Sequence, residues 1–196
     1  MRPAFTSIIL LLLALPGPGA LQAQDDTVIF LVRHAERADD AVPTDSVRAE
    51  KPTMATGSRM MATDPPLSMV GRERAALLAT LLRDADITNI HSTDVLRTRE
   101  TAQPIAETTG LEISLYDASD LAAFAEELLS TPGTHLVVGH SDTTPELVTA
   151  LGGNPGPPIE LMEYDRLYMV IPGQESTRTI LLRFGEAFLG NGVVEG

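Results

Sequence analysis

The sequence contains no cysteine among its 196 residues. Disulfide bonds, thiolate nucleophiles and cysteine-based metal sites are therefore excluded, and stability must come from core packing. The HExxH zinc pattern and the GxGxxG and GK[ST] loops of nucleotide sites are also missing. Basic residues are scarce, with 14 Lys and Arg against 27 Asp and Glu and a net charge of −13. Such a surface repels nucleic acid and anionic membranes, so we expect neither as a partner.

The first 23 residues have the layout of a secretory signal peptide. Arg2 precedes the apolar run IILLLLAL at residues 8–15, and PGPG and small residues follow. Eight apolar residues are too few to span a bilayer, although a retained N-terminal anchor is the alternative. We therefore expect an exported protein, periplasmic or extracellular, that has no membrane contact after cleavage. Residues 24–196 have the length of one domain.

Extended and helical patterns alternate along the rest of the chain. Strands are predicted at 27–32, 86–92, 111–115, 134–138, 166–171 and 177–184, and helices at 68–83, 95–109, 120–129 and from 144. Ser68, Ser119 and Thr144 are the expected N-caps, and Gly110 should end the second helix. This alternation predicts an α/β three-layer sandwich with a mainly parallel central sheet. The last two strands, joined by Pro172 and Gly173, should form a hairpin near one edge.

Chemically capable side chains follow three of the predicted strands. Because ligands of open α/β sheets bind beyond the carboxyl ends of the strands, these residues form one candidate set. They are Arg33 and His34 after the first strand, Ser92, Thr93 and Arg97 after the second, and His140, Ser141 and Asp142 after the fourth. Two imidazoles and two guanidinium groups suit a phosphoryl group, which a neutral imidazole attacks while arginines hold its oxygens.

Each of these residues has a simpler interpretation when taken alone. A strand-end arginine is usually a solvated charge, and a single histidine is usually structural. The convergence of four of them on three strand ends favours a site. His135 has an odd offset from His140, so the two side chains should point to opposite faces of an extended segment. His91 lies inside a strand, where packing or hydrogen bonding is the expected role.

Four sequence blocks resemble the motifs of the histidine phosphatase superfamily, which has the phosphoglycerate mutase-like fold. VRHAER resembles its RHG signature. The other three blocks follow in the family's order: DPPLSMVGRERAALLATLL at 64–82, STDVLRTRETAQPIA at 92–106 and LVVGHSDTTPEL at 136–147. The chain is most similar to a small member of branch 1, of the phosphohistidine phosphatase type.

The resemblance implies a role for each matching position. His34 would be the nucleophile that becomes a phosphohistidine, with its other ring nitrogen donating to a backbone carbonyl. Arg33 and Arg97 would clamp the phosphoryl oxygens, with Ser141 as a further candidate for substrate binding. His140 would contact the transferring group from the opposite side. No metal or organic cofactor is implied.

Three departures from the family pattern stand out. Ala35 replaces the usual glycine after the histidine. The interval 98–139 has no room for the insertion that carries a catalytic glutamate in many members, so the proton for the leaving group needs another source. Asp142 and Glu36 are the candidates, although Asp142 could simply cap a helix and Glu36 could form a surface ion pair. Finally, the long segment 37–63 is either a substrate lid or a loop without fixed structure.

The sequence therefore predicts an exported, metal-independent phosphomonoesterase that works through a phosphohistidine on His34. The alternatives are a phosphate-binding module with little turnover, or a mutase or phosphotransferase. A phosphorylated small molecule or a phosphoprotein is the expected substrate, and the sequence leaves open which one, as it does the oligomeric state.

Overall fold

The computed structural model describes residues 27–40 and 64–190. The predicted signal peptide at 1–23 lies outside the described residues, and so do positions 41–63 of the segment interpreted as a lid or a loop. Within the described residues, no helix has the length and apolar character needed to cross a membrane.

The described residues form one six-stranded mixed sheet with four helices. The strands are β1 Val28–Arg33, β2 Asn89–Ser92, β3 Ile113–Leu115, β4 Thr134–Gly139, β5 Arg166–Ile171 and β6 Arg178–Arg183. The helices are α1 Met69–Leu81, α2 Leu96–Thr109, α3 Leu121–Ser130 and α4 Thr143–Ala150. The strand order is β3-β2-β4-β1-β5-β6, parallel from β3 to β1 and antiparallel beyond it. The predicted mainly parallel sheet and edge hairpin are confirmed.

Both faces of the central strand β1 are buried, which explains its unbroken apolar run. Ile29 and Leu31 point to one face, where they pack with α3 and α4. Phe30 and Val32 point to the other, where they pack with α1 and α2. The helices therefore cover both faces of the sheet, and the predicted three-layer sandwich is confirmed.

The ends of helices α1, α2 and α3 agree with the predicted caps in two cases and differ in one. Ser68 caps α1 as predicted, since its hydroxyl accepts from the Gly71 amide at 3.0 Å. Gly110 ends α2 with a φ of 73°, a conformation that favours glycine. The predicted cap Ser119 is wrong, because its hydroxyl donates to Asp117 and Asp120 caps α3.

The N-cap of α4 lies two residues before the one predicted from the sequence. The helix begins at Thr143, and the carboxylate of Asp142 accepts from the Thr143 amide at 2.8 Å. Asp142 is therefore the N-cap, and the predicted cap Thr144 is wrong: it lies inside the helix with its side chain buried. An aspartate just before the helix provides a stronger cap than the threonine.

Candidate active site

One cavity of about 370 Å³ lies at the carboxyl ends of β1, β2 and β4. We call it the strand-end cavity. Ser92 and Thr93 do not line it, but the other six of the eight strand-end candidates do, namely Arg33, His34, Arg97, His140, Ser141 and Asp142. The expectation that the strand ends bring these side chains together therefore holds, while Glu36 lies elsewhere.

The backbone around His34 is held by neighbouring elements. The His34 amide donates to the carbonyl oxygen of Gly139 at 2.9 Å, which extends the pairing of β1 with β4. The next amide, that of Ala35, donates to the hydroxyl of Thr101 on α2 at 3.0 Å. Backbone atoms fixed on both sides leave the imidazole little freedom to move.

Helix α1 supports the same loop from a third side. The Ser68 amide donates to the carbonyl oxygen of Glu36 at 2.9 Å. A Cβ atom on Gly71 would collide with that carbonyl group, so glycine allows the helix to approach this closely. This contact gives the glycine of the second sequence block a physical role.

The ring of His34 is buried and has a defined tautomer. Its Nδ1 atom lies 2.8 Å from the carbonyl oxygen of Ala35, and because a carbonyl oxygen only accepts, Nδ1 carries the hydrogen. Nε2 of the neutral ring then holds a lone pair. Burial lowers the pKa of His34 to about 3, opposed by the hydrogen bond to Ala35 and reinforced by the charges of Arg33 and Arg97. The ring is therefore neutral at physiological pH.

Arg33 is held by both its Nη atoms. Nη1 donates to the carbonyl oxygens of Glu160, Leu161 and Glu163 at 2.9–3.0 Å. Nη2 donates to the hydroxyl of Tyr164 at 3.3 Å, and the guanidinium carbon lies 4.1 Å from the centre of the Tyr164 ring. These contacts fix the plane of the guanidinium group.

Arg97 reaches the cavity from the first turn of α2. Its Nη1 atom lies 3.5 Å from the carboxylate of Asp64, and that carboxylate also accepts from the Leu96 amide at 2.9 Å. One aspartate therefore supports both the start of the helix and the arginine beside it. Asp64 opens the second sequence block, but no role was predicted for it.

The two arginines share an unusual feature. Within the described ranges 27–40 and 64–190, the only buried side-chain nitrogen or oxygen atoms without a hydrogen-bond partner are Nε of Arg33 and Nε of Arg97. Leaving a buried donor unpaired costs about 1–3 kcal/mol or more for a charged group. Two such donors on residues that line the cavity with His34 are typical of an anion-binding site.

His140 faces His34 across the cavity, with ring centres 5.5 Å apart. Its Nδ1 atom lies 3.4 Å from Nη2 of Arg97, which can only donate. The hydrogen of the neutral ring is therefore on Nε2, which donates to the Thr93 hydroxyl at 3.0 Å. That hydroxyl contacts the Thr98 hydroxyl at 3.0 Å, so two threonines fix the orientation of the ring.

The pKa of His140 is also lowered. Burial is the main cause and the charge of Arg97 adds to it, while Asp142 acts in the opposite direction. The ring is therefore neutral in the free protein at physiological pH. A phosphoryl group between the two histidines would bring negative charge close to it and raise this pKa.

Glu36 is directed away from the strand-end cavity. Its carboxylate forms a two-point ion pair with Arg74 of α1, with Nη2–Oε1 and Nε–Oε2 distances of 2.7 and 3.0 Å. The pair is largely buried, so it is not the surface ion pair considered from the sequence. The structure thus does not bring Glu36 to the reacting groups.

The remaining two histidines form a buried pair, which fits the hydrogen bonding or packing expected of His91, although the pairing itself was not predicted. His135 donates from Nε2 to the carbonyl oxygen of Thr131 at 2.9 Å, so its Nδ1 accepts from Nε2 of His91 at 3.1 Å. Neither residue lines the strand-end cavity. No group of three or more His, Cys, Asp or Glu residues able to hold a metal ion occurs in the described part of the chain.

Sequence reasoning assigned no role to several residues around the cavity. Tyr164 packs against Arg33 and donates to Asp40 at 2.5 Å, and Arg37 lines the cavity beside them. Asp40 and Tyr164 are 124 positions apart and lie outside regular elements, so no local pattern links them. Thr93 was noted at a strand end, but its bond to His140 carried no sequence signal.

A sequence model of the histidine phosphatase superfamily (branch 1) matches residues 29–121, which include Arg33, His34 and Arg97. This match spans just under half of the chain and supports the histidine phosphatase superfamily. The match ends before β4, so the position of His140 opposite His34 is known from the structure. The match likewise supports an activity of the phosphatase or mutase type.

One curated relative is similar over part of its length. The protein named "Probable phosphoglycerate mutase GpmB" from Yersinia enterocolitica is 34% identical over 87 residues. The matched part is 43% of this chain but only 33% of that protein, so the similarity spans about a third of the relative's length.

Solved structures show a similar fold across most of the chain. The protein histidine phosphatase SixA, complexed with tungstate, has a TM-score of 0.57 and 18% identity, covering 80% of this chain and 96% of its own. Mycobacterial glucosyl-3-phosphoglycerate phosphatase has a TM-score of 0.53 and 17% identity, covering 81% of this chain and 98% of its own. At these identities the likeness concerns the fold.

Proposed function

We propose that this chain is a phosphoric monoester hydrolase that works through a covalent phosphohistidine on His34. One observation carries the proposal. A buried, neutral imidazole with its Nε2 lone pair available lines the same cavity as two arginines whose Nε–H groups have no partner. Phosphoryl transfer requires a nucleophile for in-line attack and fixed donors for the equatorial oxygens, and these side chains are of the types that supply both.

The reaction has two displacements. Nε2 of His34 attacks phosphorus, the bond from phosphorus to the ester oxygen breaks, and the departing alcohol takes a proton. Water then attacks the phosphohistidine, the P–N bond breaks, and inorganic phosphate leaves while His34 returns to its neutral form. Arg33 and Arg97 bind the phosphoryl oxygens in both steps, and His140 contacts the group from the opposite side.

Asp142 is our candidate for the acid that protonates the leaving group. It lines the strand-end cavity, whereas Glu36 is paired with Arg74 outside it. A good leaving group such as a nitrophenolate departs without protonation, so the acid should matter only for poor leaving groups such as alkoxides.

A mutase would share the first displacement and then return the phosphoryl group to an organic acceptor. The named mutase among the relatives favours this alternative. Against it, the interval between Arg97 and His140 contains only the rest of α2, then β3, α3 and β4, with no inserted segment. We therefore favour hydrolysis. Transfer of the phosphoryl group to an added alcohol would identify a phosphotransferase instead.

The test is hydrolysis of an aryl phosphate by purified protein. We expect turnover that resists chelators, an acid-labile phosphate on His34, and loss of both in His34→Ala. His91→Gln, which changes a buried histidine outside the strand-end cavity, is the matched control and should retain activity. Protein that turns over no phosphomonoester and takes up no phosphate would instead be a phosphate-binding module. A screen of phosphorylated metabolites and phosphopeptides would then narrow the substrate.

We also propose that the protein is exported. The apolar run at residues 8–15 and the small residues up to Ala23 support this proposal. Fractionation of producing cells, with N-terminal sequencing of the product, tests it. Mature protein that begins near residue 24 outside the cytoplasm is expected, and uncleaved cytoplasmic protein would contradict it.

A further inference from the structure

A second cavity of about 540 Å³ adjoins the strand-end cavity, and we call it the apolar groove. Its volume is within the range of sites for small organic ligands. The apolar part of its lining consists of Ala38, Val70, Met162, Ala187, Phe188 and Leu189. No step of the proposed reaction uses these side chains.

The apolar groove and the strand-end cavity share a wall. Arg37 and Asp40 line both of them. Leu161 lines the strand-end cavity and its neighbour Met162 lines the groove. Tyr164, also in the groove, has its ring centre 6.0 Å from that of His34. A molecule with its phosphoryl group at His34 can therefore extend directly into the groove.

Large apolar side chains are exposed around this groove. Val70 is 47% exposed, Met162 is 42% exposed and Leu189 is 90% exposed. Single exposed apolar residues are ordinary, but several around one concave site beside a reactive centre are typical of a binding surface. Covering them with an apolar group would remove this surface from water.

The charges in the groove disfavour the binding of a second anionic group of the substrate. Arg74 is paired with Glu36 at 2.7 Å, and Arg37 is paired with Asp40 at 3.2 Å. Glu186 also lines the groove and has no ion-pair partner among the described residues. The cations are thus already neutralised and a carboxylate remains, in a chain with a net charge of −13.

We infer that the apolar groove binds the alcohol part of the substrate, and that this part is a neutral, largely apolar group such as an alkyl chain. The inference rests on the proposed function, because it treats the strand-end cavity as the phosphoryl site. Phosphate esters whose alcohol carries a carboxylate or a second phosphate are therefore not the expected substrates.

Alkylphosphonates test the groove without turnover, because their P–C bond is not cleaved by this chemistry. Binding of ethyl-, butyl- and hexylphosphonate would be measured by calorimetry, together with a hexyl chain that ends in a carboxylate. Full burial of one methylene contributes about 0.8 kcal/mol, or about fourfold in affinity, and the groove is partly open. We expect about twofold per methylene, so that hexylphosphonate binds at least about tenfold more tightly than ethylphosphonate. The carboxylate-ended chain should lose this gain.

Two variants and one control place the effect in the groove. Val70→Ser and Met162→Ser should flatten the dependence of affinity on chain length. Leu81→Ser replaces an exposed leucine of the same helix as Val70 that lines neither cavity, and it should keep the wild-type dependence. All three side chains are exposed, so these variants should retain the fold.

The results separate this inference from the proposed function. A flat series, no binding of any phosphonate, or equal binding of the carboxylate-ended chain would overturn the apolar groove as the site of the alcohol. The proposed function depends instead on hydrolysis of an aryl phosphate. An enzyme that hydrolyses the aryl phosphate but shows a flat phosphonate series would retain its function and lose this inference.

Discussion

His34 donates from Nδ1 to the carbonyl oxygen of Ala35, its own neighbour in the chain, at 2.8 Å. A backbone carbonyl does not titrate, so this bond holds the same tautomer at every pH at which the ring is neutral. Ala35 also belongs to the loop that positions the ring, and the amide of Ala35 is held by its hydrogen bond to the Thr101 hydroxyl. The orientation and the tautomer of the imidazole therefore depend on one short stretch of backbone.

The protonation state of His34 is directly measurable. Its pKa is lowered to about 3, mainly by burial, so Nε2 should stay unprotonated through the mildly acidic range. We expect nitrogen-15 spectra to show a neutral ring with the hydrogen on Nδ1 down to about pH 4. Titration near the ordinary value of 6.5 would contradict the buried, neutral nucleophile.

Arg97→Lys tests the anion site. Lysine keeps the charge but loses the planar fork, including the unpartnered Nε–H. We expect kcat/KM for an aryl phosphate to fall by about 10²-fold, the loss typical of one donor to a transition state. Arg99→Lys, two positions along the same helix at an exposed ion pair with Asp94, is the control and should change little. Equal activities of Arg97→Lys and Arg99→Lys would show that Arg97 does not bind the phosphoryl group.

The sequence predicted the parts of this structure that depend on local pattern. The apolar run of β1 and its abrupt end at Arg33 locate the rim of the sheet, because a strand buried on both faces must be apolar until it ends. Contacts between distant segments were not predictable in the same way. Tyr164 meets Asp40 only because the path of the chain brings residues 124 positions apart together. The partner of Glu36 depends likewise on how closely α1 approaches the loop.

Thr93→Val tests the hydrogen bond that orients His140. The substitution removes the hydroxyl that accepts from Nε2 of His140 and leaves that partly buried N–H without a partner. We expect kcat to fall by about tenfold with a smaller change in KM, because the ring loses its orientation opposite His34. Thr93→Ser keeps the hydroxyl and should restore most of kcat. A serine variant as slow as the valine variant would point to packing instead.

Asp142→Asn tests the candidate acid. Asparagine caps helices as well as aspartate does, so stability should be retained. We expect turnover of an alkyl phosphate to fall at least about tenfold, while turnover of a nitrophenyl phosphate changes little. Equal losses for both leaving groups would show that Asp142 does not supply the proton.

Glu36→Gln is the companion substitution to Asp142→Asn. It weakens the buried pair with Arg74, so we expect the free energy of unfolding to fall by about 1–3 kcal/mol. The ratio of activities on alkyl and nitrophenyl phosphates should stay at the wild-type value, since the carboxylate does not line the strand-end cavity. A selective loss of activity on the alkyl phosphate would instead indicate that Glu36 supplies the proton.

The buried histidine pair makes stability depend on pH. Burial, and secondarily His135, lower the pKa of His91 from 6.5 to about 4 in the folded protein. Between these values the unfolded chain binds more protons, so the stability present above about pH 6.5 is lost as the pH falls toward 4. His91→Gln keeps an N–H donor toward His135 but does not titrate. The free energy of unfolding of His91→Gln, measured in urea across this pH range, should vary less steeply with pH than that of the wild type. The two slopes should differ by up to about 1.4 kcal/mol per pH unit. Identical slopes in the two proteins would show that His91 is not the group responsible.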